Sequence, residues 1–144
     1  MIRWVEGDIF GSKAQTLVNP VNTVGVMGKG LALAFKKRYP DLNRQYQVEC
    51  ETGGFDVGQL WLYKAEDRWI LNFPTKQHWR SKAQVDYVEV GLRTFVETYA
   101  DLGIRSIAFP KLGCGLGGLD WEYEVKPLME RYLADLPIEV EVYG

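Results

Sequence analysis

Two glycine-rich loops are the parts of this sequence best suited to bind a charged ligand. The first carries Gly25, Gly28 and Gly30 just before a predicted helix, where backbone N–H groups can point at an anion. Its glycine spacing fits neither a Walker A loop nor a dinucleotide fingerprint. Asn22 offers a donor and an acceptor, which suits a sugar hydroxyl. A glycine-bearing turn with Asn22 as a helix cap is an equally good interpretation at this point.

The second loop runs from Pro110 to Asp120 and again lies between an apolar run and a predicted helix. It has four glycines within residues 113–118. Glycines cost ordering entropy, so turn geometry alone explains them poorly, and a phosphate cradle explains them better. Asp120 is predicted to cap the following helix. Cys114 is interpreted as a small residue of the cradle, because the only histidine is remote in sequence.

A third segment, residues 72–80, places Lys76 directly after an apolar run and close to His78. An amine partly withdrawn from water can act as a base or a nucleophile, and an imidazole can transfer a proton near neutral pH. The ordinary alternatives are a solvated lysine and a packed imidazole. Asp8, after the first predicted strand, could accept from an adenine amino group or simply cap its own loop.

Short β-rich runs alternate with helical patterns, which predicts an α/β layered domain with a largely parallel sheet. Ligands of such sheets bind at the carboxyl ends of the strands, where all three segments fall. Strands are predicted at 2–6, 15–19, 58–64, 68–73, 104–109 and 138–143, and helices at 29–38, 41–51, 83–102 and 120–135. We expect one domain over residues 1–144.

Composition narrows the function further. The net charge of -2 argues against a protein that coats nucleic acid, although Lys76, Arg80 and Lys82 allow a local basic face. Two cysteines and one histidine make a structural zinc site improbable. With acidic residues near the N-terminus and no long apolar run, we expect a cytoplasmic protein without a membrane span.

Taken together, the segments resemble the macrodomain family over nearly the whole chain. Gly7-Asp8-Ile9, the 19–30 loop and the 113–118 loop occur in the family's order. Within the family the sequence is similar to the DarG antitoxin branch, the DNA ADP-ribosyl glycohydrolases. The strings at 19–30 and 72–80 carry this closer resemblance. The terminal ADP-ribose protein glycohydrolase branch shares Thr75-Lys76 and the string that begins at Gly113.

The resemblance implies a three-layer α/β/α macrodomain with a central mixed, largely parallel sheet and with no metal or cofactor. Lys76 matches the catalytic lysine of the branch. Asn22 would orient the distal ribose and His78 is a further catalytic candidate. The implied contacts with ADP-ribose are Asp8 and Ile9 at adenine, Asn22, Gly25, Val26, Met27, Gly28 and Lys29 at the distal ribose, Thr75, and Gly113, Cys114, Gly115, Leu116 and Gly117 around the phosphates.

Members of this branch remove ADP-ribose from thymine bases in single-stranded DNA and restrain the DarT toxin that attaches it. The implied partners are therefore ADP-ribosylated single-stranded DNA, ADP-ribose and a DarT-type toxin. We expect a monomer, which could be one domain of a longer protein. Protein-directed relatives have an aspartate where this chain has Gly117. That difference weakens a protein-deacylase interpretation and leaves the general acid unassigned. A non-catalytic ADP-ribose reader is the main alternative.

Overall fold

The computed structural model describes all residues, 1–144, as an open sheet with helices on both faces. No helix in it is both long and apolar enough to pass through a membrane. The strands are β1 (Ile2–Val5), β2 (Thr16–Val21), β3 (Trp61–Lys64), β4 (Trp69–Pro74), β5 (Ser106–Pro110) and β6 (Glu139–Tyr143). The α-helices are α1 (Gly30–Arg38), α2 (Pro40–Glu51), α3 (Val85–Leu102) and α4 (Lys126–Leu133).

The six strands lie in the order β1-β6-β5-β2-β4-β3. All neighbours are parallel except β3 and β4, which are antiparallel. The prediction of a mixed, largely parallel sheet is therefore confirmed. Because the parallel strands point the same way, the loops after β1, β2, β4 and β5 emerge at one edge of the sheet.

Alternation along the strands divides the core into two layers. On β2, Leu17 and Val21 face one cluster, which includes Phe35 of α1 and Tyr46 of α2. Val18 faces the other, which packs against α3 and α4. A strand alternates its side chains between the two faces of a sheet, so this pattern covers both faces with helices and gives three layers.

The predicted elements are all present, but several boundaries were wrong. Strand 15–19 continues through Pro20 to Val21, and strand 58–64 begins only at Trp61. Helix 41–51 begins one residue earlier than predicted, since Tyr39 occupies the cap position and Pro40 starts the helix. Helix 120–135 divides into a wide π-helical turn, Trp121–Val125, and α4. The predicted end of helix 83–102 is confirmed, since Gly103 follows it with a φ of 83° and gives α3 a left-handed end.

Helix α3 approaches the sheet closely at Gly91. A β-carbon added there would lie 2.4 Å from Cζ of Phe73, a fully buried ring of β4. We expect Gly91→Ala to lower the free energy of unfolding by about 1–3 kcal/mol through overpacking. In an isolated helix, alanine is more stable than glycine by about 1 kcal/mol. The close contact and the helix propensity therefore predict changes of opposite sign in the free energy of unfolding. Thermal or urea unfolding decides between them, and a stabilised Gly91→Ala variant would show that the close contact is misplaced.

Candidate functional site

Two loops supply backbone N–H groups at the common edge of the sheet. In the loop after β5, the N–H groups of Gly115, Leu116 and Gly117 donate to no acceptor in the protein. Gly113 and Gly118 have φ angles of 73° and 80°, which suit glycine and turn the chain at each end of this run. Successive N–H groups free of internal partners form a concave anion-binding surface. The loop therefore offers three neighbouring backbone donors of the kind that a phosphate would need.

The backbone at Gly117 is packed too tightly for a side chain. A β-carbon there would lie 2.5 Å from the Gly113 carbonyl oxygen and 2.8 Å from Cβ of Ala83. The Gly117 carbonyl also accepts a hydrogen bond of 3.0 Å from the Ala83 N–H. A side chain at position 117 is thus disfavoured, because this loop lies directly against Ala83, just before α3.

The loop after β2 is shaped by Asn22, which is buried. Its side-chain Oδ1 accepts from the N–H groups of Val24 and Val26 at 3.1 and 3.3 Å, and its Nδ2 donates to the Val26 carbonyl at 2.8 Å. The hydroxyl of Tyr46 donates to Asn22 Oδ1 at 2.6 Å and lies 2.7 Å from its carbonyl. Asn22 is not a helix cap. Its acceptor is used within the protein, and one N–H of its amide has no internal partner.

Tyr46 is a residue of this site that sequence reasoning missed. It is fully buried on α2, far from the loop in sequence. Desolvation, the main cause, raises the pKa of its hydroxyl far above the usual value. The hydroxyl therefore stays protonated and remains a donor to Asn22. Its position four residues after Leu42, on the buried face of α2, was the available signal, but this spacing indicates core packing and says nothing of the loop.

Removing that hydroxyl should loosen the 22–29 loop. We expect Tyr46→Phe to destabilise the fold by about 1–3 kcal/mol, because buried acceptors lose their donor. ADP-ribose affinity should fall with it. Tyr63→Phe is the matched control, since the Tyr63 hydroxyl makes one 3.2 Å bond to Asp41 and lies away from the loop. Urea unfolding and calorimetry measure both effects; equal losses in the two variants would contradict this role of Tyr46.

Helix α1 adds a second source of positive potential. Its N-cap residue, Lys29, makes no side-chain capping bond, and its first turn has no acidic residue. The first N–H groups of a helix lack internal partners and attract anions. A β-carbon at Gly30, the first residue of α1, would lie 3.2 Å from Cδ1 of Leu116. The two glycine loops therefore meet at this point. Met27 is buried against Asn19, so only its backbone can face a ligand.

Lys76 lies on the segment that joins these two loops. The Gln77 carbonyl accepts from both the N–H and the hydroxyl of Thr23, at 3.2 and 3.0 Å. At the other end of the segment, Ala83 donates to Gly117. Lys76 itself is half-buried, and its ammonium group donates to the Trp79 carbonyl at 3.2 Å. The amine is thus held by one neutral acceptor, with no carboxylate paired to it.

The remaining candidates have local roles in the structure. Asp8 caps the short helical turn Ile9–Gly11, accepting from the Phe10 N–H at 2.9 Å through Oδ1, and it remains exposed. Ile9 is buried beside it. Nδ1 of His78 accepts from the Arg80 N–H at 3.1 Å, which leaves Nε2 as the free ring nitrogen. The Thr75 N–H donates to the Val21 carbonyl at 3.0 Å, which extends the pairing of β2 with β4.

Cys114 is poorly suited to nucleophilic chemistry. Burial raises the pKa of its thiol to about 11, which outweighs the opposing effect of Lys111. The thiol is therefore protonated at neutral pH, and it donates to the Leu112 carbonyl, 3.4 Å away.

The N-cap predicted at Asp120 is confirmed, since Asp120 Oδ1 accepts from the Tyr123 N–H at 2.9 Å.

The α/β/α layers, with two glycine loops meeting at one edge of the sheet, define the class of protein. Residues 18–128 match the Macro domain family. The chain belongs to the macrodomain family, as its sequence resemblance implied.

Two solved structures show how close the similarity is. The macrodomain of Thermus aquaticus DarG is 46% identical and superimposes with a TM-score of 0.93, covering 100% of this chain and 98% of that chain. Thermosipho africanus DarTG in complex with ADP-ribose is 44% identical with a TM-score of 0.91, covering 98% of this chain and 41% of that chain.

Two relatives named for activity on DNA are longer than this chain. A DNA ADP-ribosyl glycohydrolase of Thermus aquaticus is 46% identical over 148 residues, which is 99% of this chain and 41% of the relative. In Thermosipho africanus, a DNA ADP-ribosyl transferase-DNA ADP-ribosyl glycohydrolase fusion protein is 45% identical over 96% of this chain and 40% of its own length. The chain thus spans less than half of these relatives.

Proposed function

We propose that this macrodomain hydrolyses ADP-ribosyl groups from thymine bases of single-stranded DNA, with Lys76 as its catalytic residue. The observation that carries the proposal is the position of Lys76. It is half-buried on a segment hydrogen-bonded at one end to the 22–29 loop and at the other to the 113–118 loop. Relatives named for this activity, at 37–46% identity, support the choice of DNA as substrate.

The two loops would bind different parts of ADP-ribose. The free N–H groups at residues 115–117 would take the diphosphate, and Asp8 with Ile9 would receive adenine at the end of β1. The 22–29 loop, kept in shape by Asn22, would enclose the distal ribose. Asn22 then acts chiefly through the backbone that it positions, with one amide N–H left for a sugar oxygen.

Hydrolysis breaks the bond between the anomeric carbon of the distal ribose and the thymine nitrogen. The hydroxyl of water ends on that carbon, and a proton ends on the departing nitrogen. Lys76 can take part as a nucleophile at the anomeric carbon or as a base toward water. The proton for the nitrogen comes from His78 through Nε2, or from water or a substrate phosphate.

Two observations favour DNA over protein as the substrate. The packing at Gly117 leaves no room for the aspartate of the protein-directed branch. The segment next to Lys76 carries Arg80 and Lys82 without an acidic residue between positions 68 and 85, which suits a phosphate backbone. An antitoxin role against a DarT-type toxin is part of the proposal, because one relative fuses a transferase to this domain.

The test compares substrates under identical conditions. The protein is incubated with ADP-ribosylated single-stranded DNA and, separately, with a protein carrying ADP-ribose on glutamate. We expect free ADP-ribose from the DNA and at least about tenfold slower release from the protein. Calorimetric binding of ADP-ribose without release from either substrate would instead identify a non-catalytic reader. Faster release from the protein would overturn the choice of DNA.

A further inference from the structure

Next to Lys76, three flat side chains form an exposed stack. The ring of Trp79 is 42% exposed, although tryptophan is usually well buried. The His78 imidazole stacks against it at 5.4 Å between centroids and 28° between planes. The Arg80 guanidinium lies 4.5 Å from the centre of the same ring. We call these three residues the Trp79 cluster.

Hydrogen bonds within residues 76–81 hold the cluster beside Lys76. The Ser81 N–H donates to the His78 carbonyl at 3.0 Å, and the Arg80 N–H donates to the His78 ring. The Trp79 carbonyl accepts from Lys76. An apolar ring in contact with water gains free energy when a ligand covers it, so the exposed Trp79 beside Lys76 is suited to stack a flat group.

The charge around the cluster identifies the kind of ligand. Lys76, Arg80 and Lys82 fall within seven residues, and none of them forms an ion pair. The chain as a whole has a net charge of -2, so this excess of cations is local. Aromatic rings interleaved with unpaired cations fit single-stranded nucleic acid, whose bases stack and whose phosphates need positive charge. A protein interface would be depleted in lysine, whereas this surface carries Lys76 and Lys82.

We propose that the Trp79 cluster binds a nucleotide that neighbours the modified thymine, stacking its base while the cations hold its phosphate. This inference rests on the proposed function for its choice of substrate. It adds that the domain binds the DNA strand next to the modified thymine as well as the ADP-ribosyl group. The same cluster then explains the exposure of His78, which stacks as well as carrying a free Nε2.

The first test measures DNA affinity without any turnover. A fluorescein-labelled, unmodified thymidine decamer is titrated at low salt against the wild-type protein and Trp79→Ala, with fluorescence anisotropy as the readout. We expect Trp79→Ala to bind about tenfold more weakly and Trp79→Phe to recover most of the affinity. Affinity unchanged in Trp79→Ala would overturn the proposal, whether or not the protein hydrolyses ADP-ribosylated DNA.

Trp4 supplies a matched control. It is 43% exposed and has the Lys126 ammonium 5.2 Å from its ring centre, so it resembles Trp79 in exposure and in its cation. It lies on β1, four strand spacings from β4, or about 19 Å across the sheet. Trp4→Ala should leave the affinity for the decamer unchanged. An equal loss of affinity in both variants would show that the decamer binds to any exposed aromatic side chain. That result would contradict a specific site at the Trp79 cluster.

The second test measures whether the Trp79 cluster contributes to catalysis on a DNA strand. The kcat/KM of each variant is measured on an ADP-ribosylated decamer and on ADP-ribosylated thymidine. We expect the ratio of decamer to nucleoside to fall about tenfold in Trp79→Ala, mainly through KM, because only the decamer offers a neighbouring base. An unchanged ratio would overturn the inference, while an inactive wild-type protein would overturn the proposed function.

Discussion

Replacing Lys76 with alanine is expected to slow the release of ADP-ribose from modified single-stranded DNA by at least about 100-fold. The reason is the position of Lys76, which is half-buried on the segment hydrogen-bonded to both glycine loops and whose amine donates to the Trp79 carbonyl. ADP-ribose affinity should change by less than about fivefold, because the loops bind through their backbone. Initial rates and calorimetry on the same preparations measure the two quantities.

The control for Lys76→Ala is Lys37→Ala. Lys37 is exposed in the last turn of α1, so the variant loses the same charge far from the site. It should keep the wild-type rate. Borohydride trapping separates the two roles of Lys76: a covalent adduct that is lost in Lys76→Ala indicates a nucleophile, and its absence in an active enzyme indicates a base. Full activity in Lys76→Ala would exclude both roles.

Gly117→Ala should have the second largest effect. The added β-carbon would lie 2.5 Å from the Gly113 carbonyl and 2.8 Å from Ala83, so the 113–118 loop must move away from the start of α3. We expect a loss of stability of about 1–3 kcal/mol from overpacking. Because the same displacement misaligns the free N–H groups of the cradle, ADP-ribose affinity should fall by at least about tenfold.

Gly115→Ala tests whether the effect is steric. A β-carbon at Gly115 meets no atom within 4 Å, so the same substitution two residues away has room. Thermal unfolding of the two unliganded variants should show a lower Tm for Gly117→Ala and a nearly unchanged Tm for Gly115→Ala. If both variants unfold like the wild type, the contact between the cradle and Ala83 does not constrain residue 117.

The position of the site could be predicted from the sequence because local chemistry determines it. The glycines and the lysine lie where an apolar strand ends and the chain turns toward a helix. Parallel strands bring such loops to one edge of the sheet. The capping role of Asp120 was predictable for the same reason, since its partner lies three residues away. Boundaries were less predictable: β2 continues through Pro20, where apolar alternation gives no stop.

What the sequence could not predict depends on contacts between distant residues. The expected contact of Asn22 with a sugar stays a prediction, but its acceptor is occupied by Tyr46 on α2 and by N–H groups of the loop. An asparagine side chain serves a loop or a ligand equally well, and only the fold decides which. Likewise, the glycine at 117 is required by Ala83, which lies 34 residues earlier in the chain.

The most direct measurement is the intact mass of a single-stranded oligonucleotide carrying one ADP-ribosylated thymine. After incubation with the wild-type protein, we expect the mass of the unmodified oligonucleotide together with free ADP-ribose, and an unchanged modified mass with Lys76→Ala. A modified mass that persists with a wild-type protein that binds ADP-ribose would contradict hydrolysis by this domain. So would restoration of the unmodified mass by Lys76→Ala at the wild-type rate.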